Sequence, residues 1–368
     1  MAAWPRDDQS PLQPLAHDLE VDSCVVGLGG SGLAAVHALL DLGQRVAAID
    51  SIGIAPGAAG RNGGFLLAGT AAFHHDAVAA LGRERATALY RQTLGELDAF
   101  EADTPDVVIR RGSLRIASDG AELADCIRQF EAMRHDALPV ERYEGPEGEG
   151  LLFPFDGVFN PGWRCDVLAA RAIARGALLH APTHADAILP GEVQTGPHRI
   201  RCRHVLVLVD GGLTRIFPQL TGVVRTARLQ MVATAPTGQR TWSRPVYYRH
   251  GYEYWQQLED TSIVVGGFRD AGGEPEWTEH AGPGDAVQAR LDAFVRDHLR
   301  VEVPITHRWA ASVGFTSGVL PFVGGVGEGV WAAGGYNGTG NMIGAICGRG
   351  IAELAVTGDS ETLRHLRD

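Results

Sequence analysis

The sequence contains no lysine; all 32 of its basic side chains are arginine. Chemistry that needs a lysine base or a Schiff-base lysine is therefore excluded. Cysteine is sparse and scattered, at Cys24, Cys126, Cys165, Cys202 and Cys347, with no C-x-x-C pair and an odd total. That pattern argues against a zinc site and against a disulfide framework. No apolar run is long enough to cross a bilayer. The first twenty residues combine prolines with acids and have no apolar leader core, so a cytoplasmic, reducing setting is expected. Basic charge is also short. With 44 acids the formal net charge is −12, which disfavours a nucleic-acid partner and provides no polybasic membrane patch.

What is present reads as a folded chain of one large domain or two, 45% apolar and 21% charged. Its most informative stretch runs from Val21 to Asp50. A short apolar strand ends at Val25-Val26, and Gly27-Leu28-Gly29-Gly30-Ser31-Gly32 follows as G-x-G-x-x-G. Leu33 to Leu42 is helical in pattern and stops at Gly43, and a second apolar strand runs from Arg45 to Ile49 into Asp50. This is a βαβ unit for a dinucleotide. Gly27 makes the tight turn, Gly29 lets backbone approach a pyrophosphate, and Gly32 lets helix and strand pack closely. Gly30 and Ser31 open the helix, whose free N–H groups and positive dipole end face the phosphates. Asp50 suits a ribose diol and favours FAD or NAD over NADP; Ser51 beside it is a further candidate.

Residues 1 to about 18 read as a loose tail. The span Gly57 to Phe65 holds too many glycines for regular structure, and Arg61 and Asn62 stand as donors among them. His74-His75 do not share a face at adjacent positions, so a metal site is not expected. Asp76 reads as the N-cap of one helix from Ala77 to Ala102. Arg110 to Ala117 alternates as a strand and Glu122 to His135 is helical. Glu144 to Gly150 reads as loop, Phe153 to Gly162 as coil, and Val167 to Leu179 as helix. Turn residues between Pro182 and Pro197 suggest an antiparallel meander. Val205 to Val209 is a buried strand, parallel to the first, that ends at Asp210-Gly211-Gly212. From Val223 to Phe268 the pattern is β, with Tyr247, Tyr248, Tyr252, Tyr254 and Trp255 gathered around Arg249 and Glu253. That concentration is either a sheet core or a substrate pocket. Residues 280 to 300 are helical. Val330 to Ala333 is a strand running into Gly334 to Asn341 and then a helix to about Val356, which repeats the strand, glycine turn and helix start of the first unit.

Taken in order, these motifs resemble the D-amino acid oxidase-like flavoproteins, the superfamily of glycine oxidase and sarcosine oxidase. The resemblance runs from Val21 to about Leu354. It rests on the βαβ unit with Asp50, on Gly57 to Gly64 beside the family's G-A-S-G-R-N-G-G loop, and on Phe159-Asn160-Pro161. It rests further on Val205 to Gly212, Gly266-Gly267-Phe268-Arg269-Asp270, and Gly335 to Gly340 beside G-Y-x-G-x-G. The implied fold class is α/β, a Rossmann-like FAD-binding domain interleaved with an α+β substrate domain on a largely antiparallel sheet. The FAD domain would comprise 19–77, 149–219 and 306–368, and the substrate domain 78–148 and 220–305. The resemblance adds Gly60, Arg61, Asn62, Gly63, Gly64, Asp210, Gly211, Gly212, Tyr336, Asn337, Gly338, Thr339, Gly340 and Asn341 to the cofactor residues. It implies non-covalent FAD and hydride transfer to flavin N5 from the C–N carbon of a small amine or amino acid, leaving an imine.

The sequence departs from the family's pattern at several points. Ala59 stands for a serine, and Asp210-Gly211-Gly212 for a threonine-glycine turn. Val313 and Gly318 stand where an arginine for the substrate carboxylate and an aspartate are frequent. The sheet residues Tyr248 and Arg249 are then the candidates for a clamp, with Tyr254, His74 and His250 as further pocket candidates. The absence of lysine points to a dehydrogenase or a slow oxidase. Two other readings stand beside this one: an NAD-dependent dehydrogenase on the same βαβ unit, and a flavin-binding subunit that needs a partner chain. A redox partner and a homo-oligomer are both left open.

Overall fold

Short runs dominated by apolar residues, with no alternating polar face, suit strands buried on both sides. Ser23–Val26, Val46–Ile49 and His204–Val207 are such strands. In the computed structural model, which describes residues 2–6 and 12–367, they are the centre of a six-stranded sheet. Its order from one edge is Leu178–His180, Val46–Ile49, Ser23–Val26, His204–Val207, Val330–Gly334 and Phe322–Gly327. The first five run parallel, and the last is antiparallel to its neighbour. Cys24, Val25, Ala47, Ile49, Val205, Val207 and Ala332 are completely enclosed; each of the larger ones contributes about 1.5–3 kcal/mol by leaving water. Helix Gly30–Asp41 lies along helix Ile343–Thr357. The approach needs Gly348, where a Cβ would stand 2.1 Å from the Ser31 carbonyl oxygen.

The chain forms two compact units. One comprises Pro5–Gly60, Pro161–Thr226 and Val313–Asp368 and carries this Rossmann-like sheet. It also holds a small four-stranded sheet in which Ala187–Leu189, Glu192–Thr195 and His198–Arg201 form the antiparallel meander, with Leu19–Glu20 parallel at its edge.

The other unit comprises Met1–Trp4, Arg61–Asn160 and Ala227–Ser312. Its body is an eight-stranded sheet ordered Ile305–Phe315, Arg225–Thr234, Ile263–Gly267, Glu253–Gln257, Val246–Tyr248, Ser113–Ile116, Gly148–Phe153 and Glu141–Gly145. The described pairings are antiparallel except that of Val246–Tyr248 with Ser113–Ile116. One face packs Leu114, Ile116, Val246, Trp255 and Val265 against Val287, Leu291 and Phe294 of the helical segment that begins at Asp285. The opposite face meets Phe73, Tyr90, Cys126 and Met133 from the helices after residue 73. Residues 61–66 and 157–159 belong to this unit through a three-stranded sheet of Phe65–Leu66, Gly157–Phe159 and Val108–Arg110.

Several local expectations change. The single helix from Ala77 is two helices, His74–Leu81 and Arg83–Asp103, broken at Gly82 with φ +80°; Asp76 lies inside the first turn and Phe73 is the cap position. Glu144 to Gly150 is not loop but the closed end of a hairpin, with Gly145 paired to Gly148. The coil at Phe153 to Gly162 contains the strand Gly157–Phe159, and the next helix, Pro161–Ala174, begins before Val167 and ends short of Leu179, which lies in the strand Leu178–His180. Of the expected tail, residues 7–11 lie outside the described residues, while Trp4 and Leu15 on either side are buried.

Candidate functional site

The turn between Ser23–Val26 and Gly30–Asp41 is built by the absence of side chains. Gly27 has φ +109°, and a Cβ there would stand 2.6 Å from the Leu208 carbonyl oxygen. A Cβ at Gly32 would stand 1.9 Å from the Gly27 carbonyl oxygen, inside any tolerable contact. Around Gly30 there is open space, and no side chain caps the helix at Gly29. With no acid in the first turn either, the amides and dipole of this end are available to an anion.

Asp50 stands at the end of the neighbouring strand. Its Oδ2 accepts the Leu28 N–H at 3.1 Å, and Oδ1 accepts those of Ile52 and Gly53 at 2.9 and 3.2 Å. The carboxylate is thereby fixed in orientation against the glycine turn, with lone pairs remaining for diol donors. Ser51 is exposed. Gly27, Asp50 and Ser51 line a cavity of about 440 Å³ within the Rossmann-like unit, together with Thr183, His184, Val209 and Phe217. That volume lies in the range of small-molecule sites.

The second strand–glycine–helix turn, after Val330–Gly334, is differently furnished. Asp210, with φ +46°, points its carboxylate into it. Oδ2 accepts the Gly314 N–H at 2.9 Å, and Oδ1 accepts those of Gly335 at 2.9 Å and Tyr336 at 3.3 Å. Burial pushes this carboxyl up from its ordinary value, while the backbone amides pull it down. Gly211 accepts a hydrogen bond from the Thr226 hydroxyl, and the Gly212 N–H donates to Val209. Asn337 donates from Nδ2 to Thr316 Oγ1 and the Gly318 carbonyl, and accepts the Thr316 N–H at Oδ1. Tyr336 is buried, its ring lying over Gly340 and Gly344. Thr339 donates back to the Tyr336 carbonyl, whereas Gly338, with φ +84°, faces open space. Asn341 lies two residues before helix Ile343–Thr357.

Gly60 ends the glycine-rich span of the Rossmann-like unit; a Cβ there would stand 2.3 Å from the Ala55 carbonyl oxygen. The rest of that span, Arg61 to Gly64, is held within the sheet unit by two indoles. Trp309 Nε1–H donates to the Arg61 carbonyl at 2.8 Å, and Trp4 Nε1–H to the Asn62 carbonyl at 2.9 Å. Arg61 itself donates to the Ala310 carbonyl at 3.3 Å, and the Asn62 side chain accepts the Gly64 N–H. Gln256 donates to the Gly63 carbonyl, and Gly64 takes φ +68° where a Cβ would meet the Phe159 carbonyl.

The five pocket candidates do not converge. Tyr248 faces the core side of its sheet, against Trp255, Phe294 and His298. Arg249 is held bidentately by both Glu253 and Asp270, at 2.6 to 2.9 Å, so its fork is already occupied. His74 is buried and bonds Asp136 through Nε2 at 2.8 Å; Arg83 and His135 also face that carboxyl, which sits well below the usual carboxylate range. His250 donates its backbone N–H to Glu122 and stacks edge-on to Phe73. Only Tyr254 lies on the sheet face that meets the Gly63 loop, with its ring edge about the missing Cβ of Gly63 at 3.1 Å.

Comparison with known proteins settles the family. Residues 22–354 match the model of the DAO family, described as FAD dependent oxidoreductase. The chain belongs to this family of FAD-dependent oxidoreductases. Among its relatives are a probable oxidoreductase OrdL of Rhizobium meliloti, 26% identical over 98% of this chain and 88% of that protein. Another is the gamma-glutamylputrescine oxidoreductase of Escherichia coli, 24% identical over 96% of this chain and 87% of that one. In fold it is similar to L-proline dehydrogenase from P. horikoshii, with TM-score 0.75 and 19% identity over 95% and 96% of the two chains. Glycine oxidase from Geobacillus kaustophilus gives TM-score 0.74 and 17% identity over 92% and 95%.

FAD is the cofactor of this family, and the donor set at Gly27 to Asp50 fits it. An uncapped helix end suits the pyrophosphate, a fixed carboxylate suits the ribose, and the adjoining cavity is of small-molecule size. In this FAD-dependent oxidoreductase the second turn differs in kind, because its amides at Gly335 and Tyr336 already have an anion in Asp210. Sequence reasoning missed the cavity walls at Thr183-His184, which no motif marks, and Trp4, an isolated aromatic among prolines. It also missed Asp156, buried against Ser113 and the Ala68 N–H, whose carboxyl burial pushes up to about 7.

Proposed function

We propose that this protein oxidises a C–N bond of a small amine or amino acid, with FAD bound non-covalently. The observation that carries the cofactor part is the bare helix end at Gly29 to Gly32 beside Asp50. Gly27, Gly29, Gly30, Ser31 and Gly32 would hold the pyrophosphate, Asp50 the ribose, and the cavity behind Asp50 the adenine. When bound, FAD would supply a two-electron acceptor, so that an amine giving up a hydride from the carbon beside nitrogen and a proton from the nitrogen would become an imine. The amine class is supported by the names of the relatives, which include an oxidoreductase of gamma-glutamylputrescine and structural neighbours acting on glycine and L-proline.

The chain's own contribution is to bind and orient. All five cysteines are buried, and none is in a disulfide. The Asp210 carboxylate and the Asn337 side chain brace the second turn, from which Gly338 to Asn341 lead into the final helix. These residues would present helix amides to negative charge developing on the reduced cofactor. No helix of the described residues is long and apolar enough to cross a membrane. Anaerobic mixing of the yellow protein with a panel of amines and amino acids tests the reading. Bleaching by at least one of them, with the imine product trapped or hydrolysed to a carbonyl, is expected. A flavin that none of them reduces would overturn it.

A further inference from the structure

The stretch before the Rossmann-like sheet reads from sequence as a loose tail, yet its described residues are tied down. Arg6 donates from Nε to Asp166 Oδ2 at 2.9 Å and from Nη2 to Oδ1 of the same buried carboxylate. Gly162 leaves room for this arginine, because a Cβ there would stand 3.0 Å from Arg6 Cδ. Both Nη atoms also donate to the Ile54 carbonyl, each at 3.2 Å. Farther along, the Gln13 carbonyl accepts the Ala181 N–H at 3.2 Å, and the Leu15 N–H donates to Thr183 Oγ1 at 2.9 Å. Leu15 itself is buried in the apolar cluster of Val26, Ile49 and Val207.

These contacts lead by two routes to one residue of the first glycine turn. From Arg6 the first route passes to Ile54, and the next residue, Ala55, donates its N–H to the Leu28 carbonyl at 2.9 Å. From Leu15 the second passes to Thr183, whose N–H donates to the Asp50 carbonyl at 2.7 Å; the Asp50 carboxylate in turn accepts the Leu28 N–H at 3.1 Å. Leu28 stands between Gly27 and Gly29, so the peptide groups on either side of it set the backbone that enters the bare helix end. The loop between Asp50 and Ala55 has little apolar packing to rely on, since Ile52 is 70% exposed and Ile54 only partly buried. Asp50 and Thr183 also line the cavity, whereas Arg6 and Leu15 do not.

We infer that Arg6 and Leu15 are positioning residues for FAD: by bracing Ile54 and Thr183 from outside, they hold the Leu28 peptides and the Asp50 carboxylate in the arrangement that receives the ADP half of the cofactor. The inference rests on the placement of pyrophosphate and ribose proposed above. A rim ordered beforehand need not be ordered by the ligand, which strengthens binding. The coupling is reciprocal, so a brace that favours the bound form is itself favoured by the ligand.

The test titrates the full chain, freed of flavin, with FAD and follows flavin fluorescence; ADP is measured by competition. Arg6→Ala should raise the dissociation constant of FAD by about tenfold. ADP should weaken by the same factor, since the brace acts on the half the two ligands share, and Arg6→Lys should recover part of the loss. Arg296→Ala, which removes an exposed pair with neighbouring Asp297, should leave both constants unchanged. A role in stability alone would lower the melting temperature of Arg6→Ala and leave its two constants where they are. That result, or a loss confined to FAD, overturns the inference. Should Arg6→Ala fail to fold, amide exchange of the wild type decides. Saturating FAD should slow the Leu15 and Ala181 amides several-fold more than those of the meander strand Glu192–Thr195, and equal slowing overturns the brace. A wild-type chain that takes up no FAD, or from which ADP does not displace it, sinks the cofactor placement and the brace with it; unchanged constants in Arg6→Ala sink the brace alone.

Discussion

The two strand–glycine–helix turns of the Rossmann-like unit have the same plan and opposite furnishing. At Gly27 to Gly32 the helix end is bare: no cap, no acid in the first turn, and open space around Gly30. At Gly334 to Asn341 the amides of Gly335 and Tyr336 are taken by Asp210, and Asn337 ties the loop to Thr316 and Gly318. An unsatisfied helix end is a binding device, and an internally satisfied one is a rigid support. The comparison separates a turn whose backbone is free to meet an anion from one whose backbone is held still.

The sharpest way to break this contrast is to add one methyl group to each turn. Gly32→Ala puts a Cβ 1.9 Å from a carbonyl oxygen, whereas Gly340→Ala meets nothing closer than 3.4 Å. The first should cost at least about 3 kcal/mol and abolish flavin retention; the second should cost under about 1 kcal/mol. Thermal melts and flavin content of the two purified variants decide it.

Asp210 is the next largest lever. Asp210→Ala leaves the Gly314, Gly335 and Tyr336 amides without their acceptor and places alanine at a positive φ. A loss of about 4 kcal/mol is expected by denaturant unfolding, with Asp210→Asn intermediate because one acceptor oxygen remains.

Asp156 sharpens the point, because it is a buried carboxyl with fewer donors. Its folded pKa is about 7, against an ordinary value of 3.8. Between those values the folded chain holds a proton that the unfolded chain has released. Stability therefore falls as pH rises from about 4 to 7, by about 2–4 kcal/mol. Asp156→Asn should flatten that part of the stability–pH curve, measured by urea unfolding at intervals of pH; an unchanged slope would count against the assignment.

The smallest effect belongs to Trp4. Trp4→Phe keeps the packing against Met231 and Trp309 and removes one hydrogen bond to Asn62, a loss of about 1 kcal/mol. Hydrogen exchange should rise locally at Asn62 to Gly64 and little elsewhere.

How far the sequence could be read follows from how local each signal is. The βαβ unit, the meander and the buried strand at Val205 are written in adjacent residues, and the structure has them all. The hairpin from Glu141 to Phe153 was hidden because its edge strand, Glu141–Gly145, is largely charged and exposed, with no apolar alternation to mark it. Gly82 divides a helix whose two halves have compatible patterns. At the site, backbone roles were legible from glycine spacing, whereas side-chain roles were not. Arg249 reads from sequence as a free clamp on a strand; in the structure it lies in the turn after Val246–Tyr248, and its fork is filled by Glu253 and by Asp270, which reaches it from another segment. Likewise nothing near Asp210 in sequence announces that its partners lie at Gly314 and Gly335.

The most direct measurement is the visible absorption spectrum of the purified protein, taken before denaturation and again on the supernatant afterwards. The account predicts a flavin spectrum that passes entirely to the supernatant and chromatographs as FAD. Colour retained by the denatured chain would contradict non-covalent binding. A colourless protein that takes up no added FAD would contradict the reading of Gly27 to Asp50 on which the rest depends.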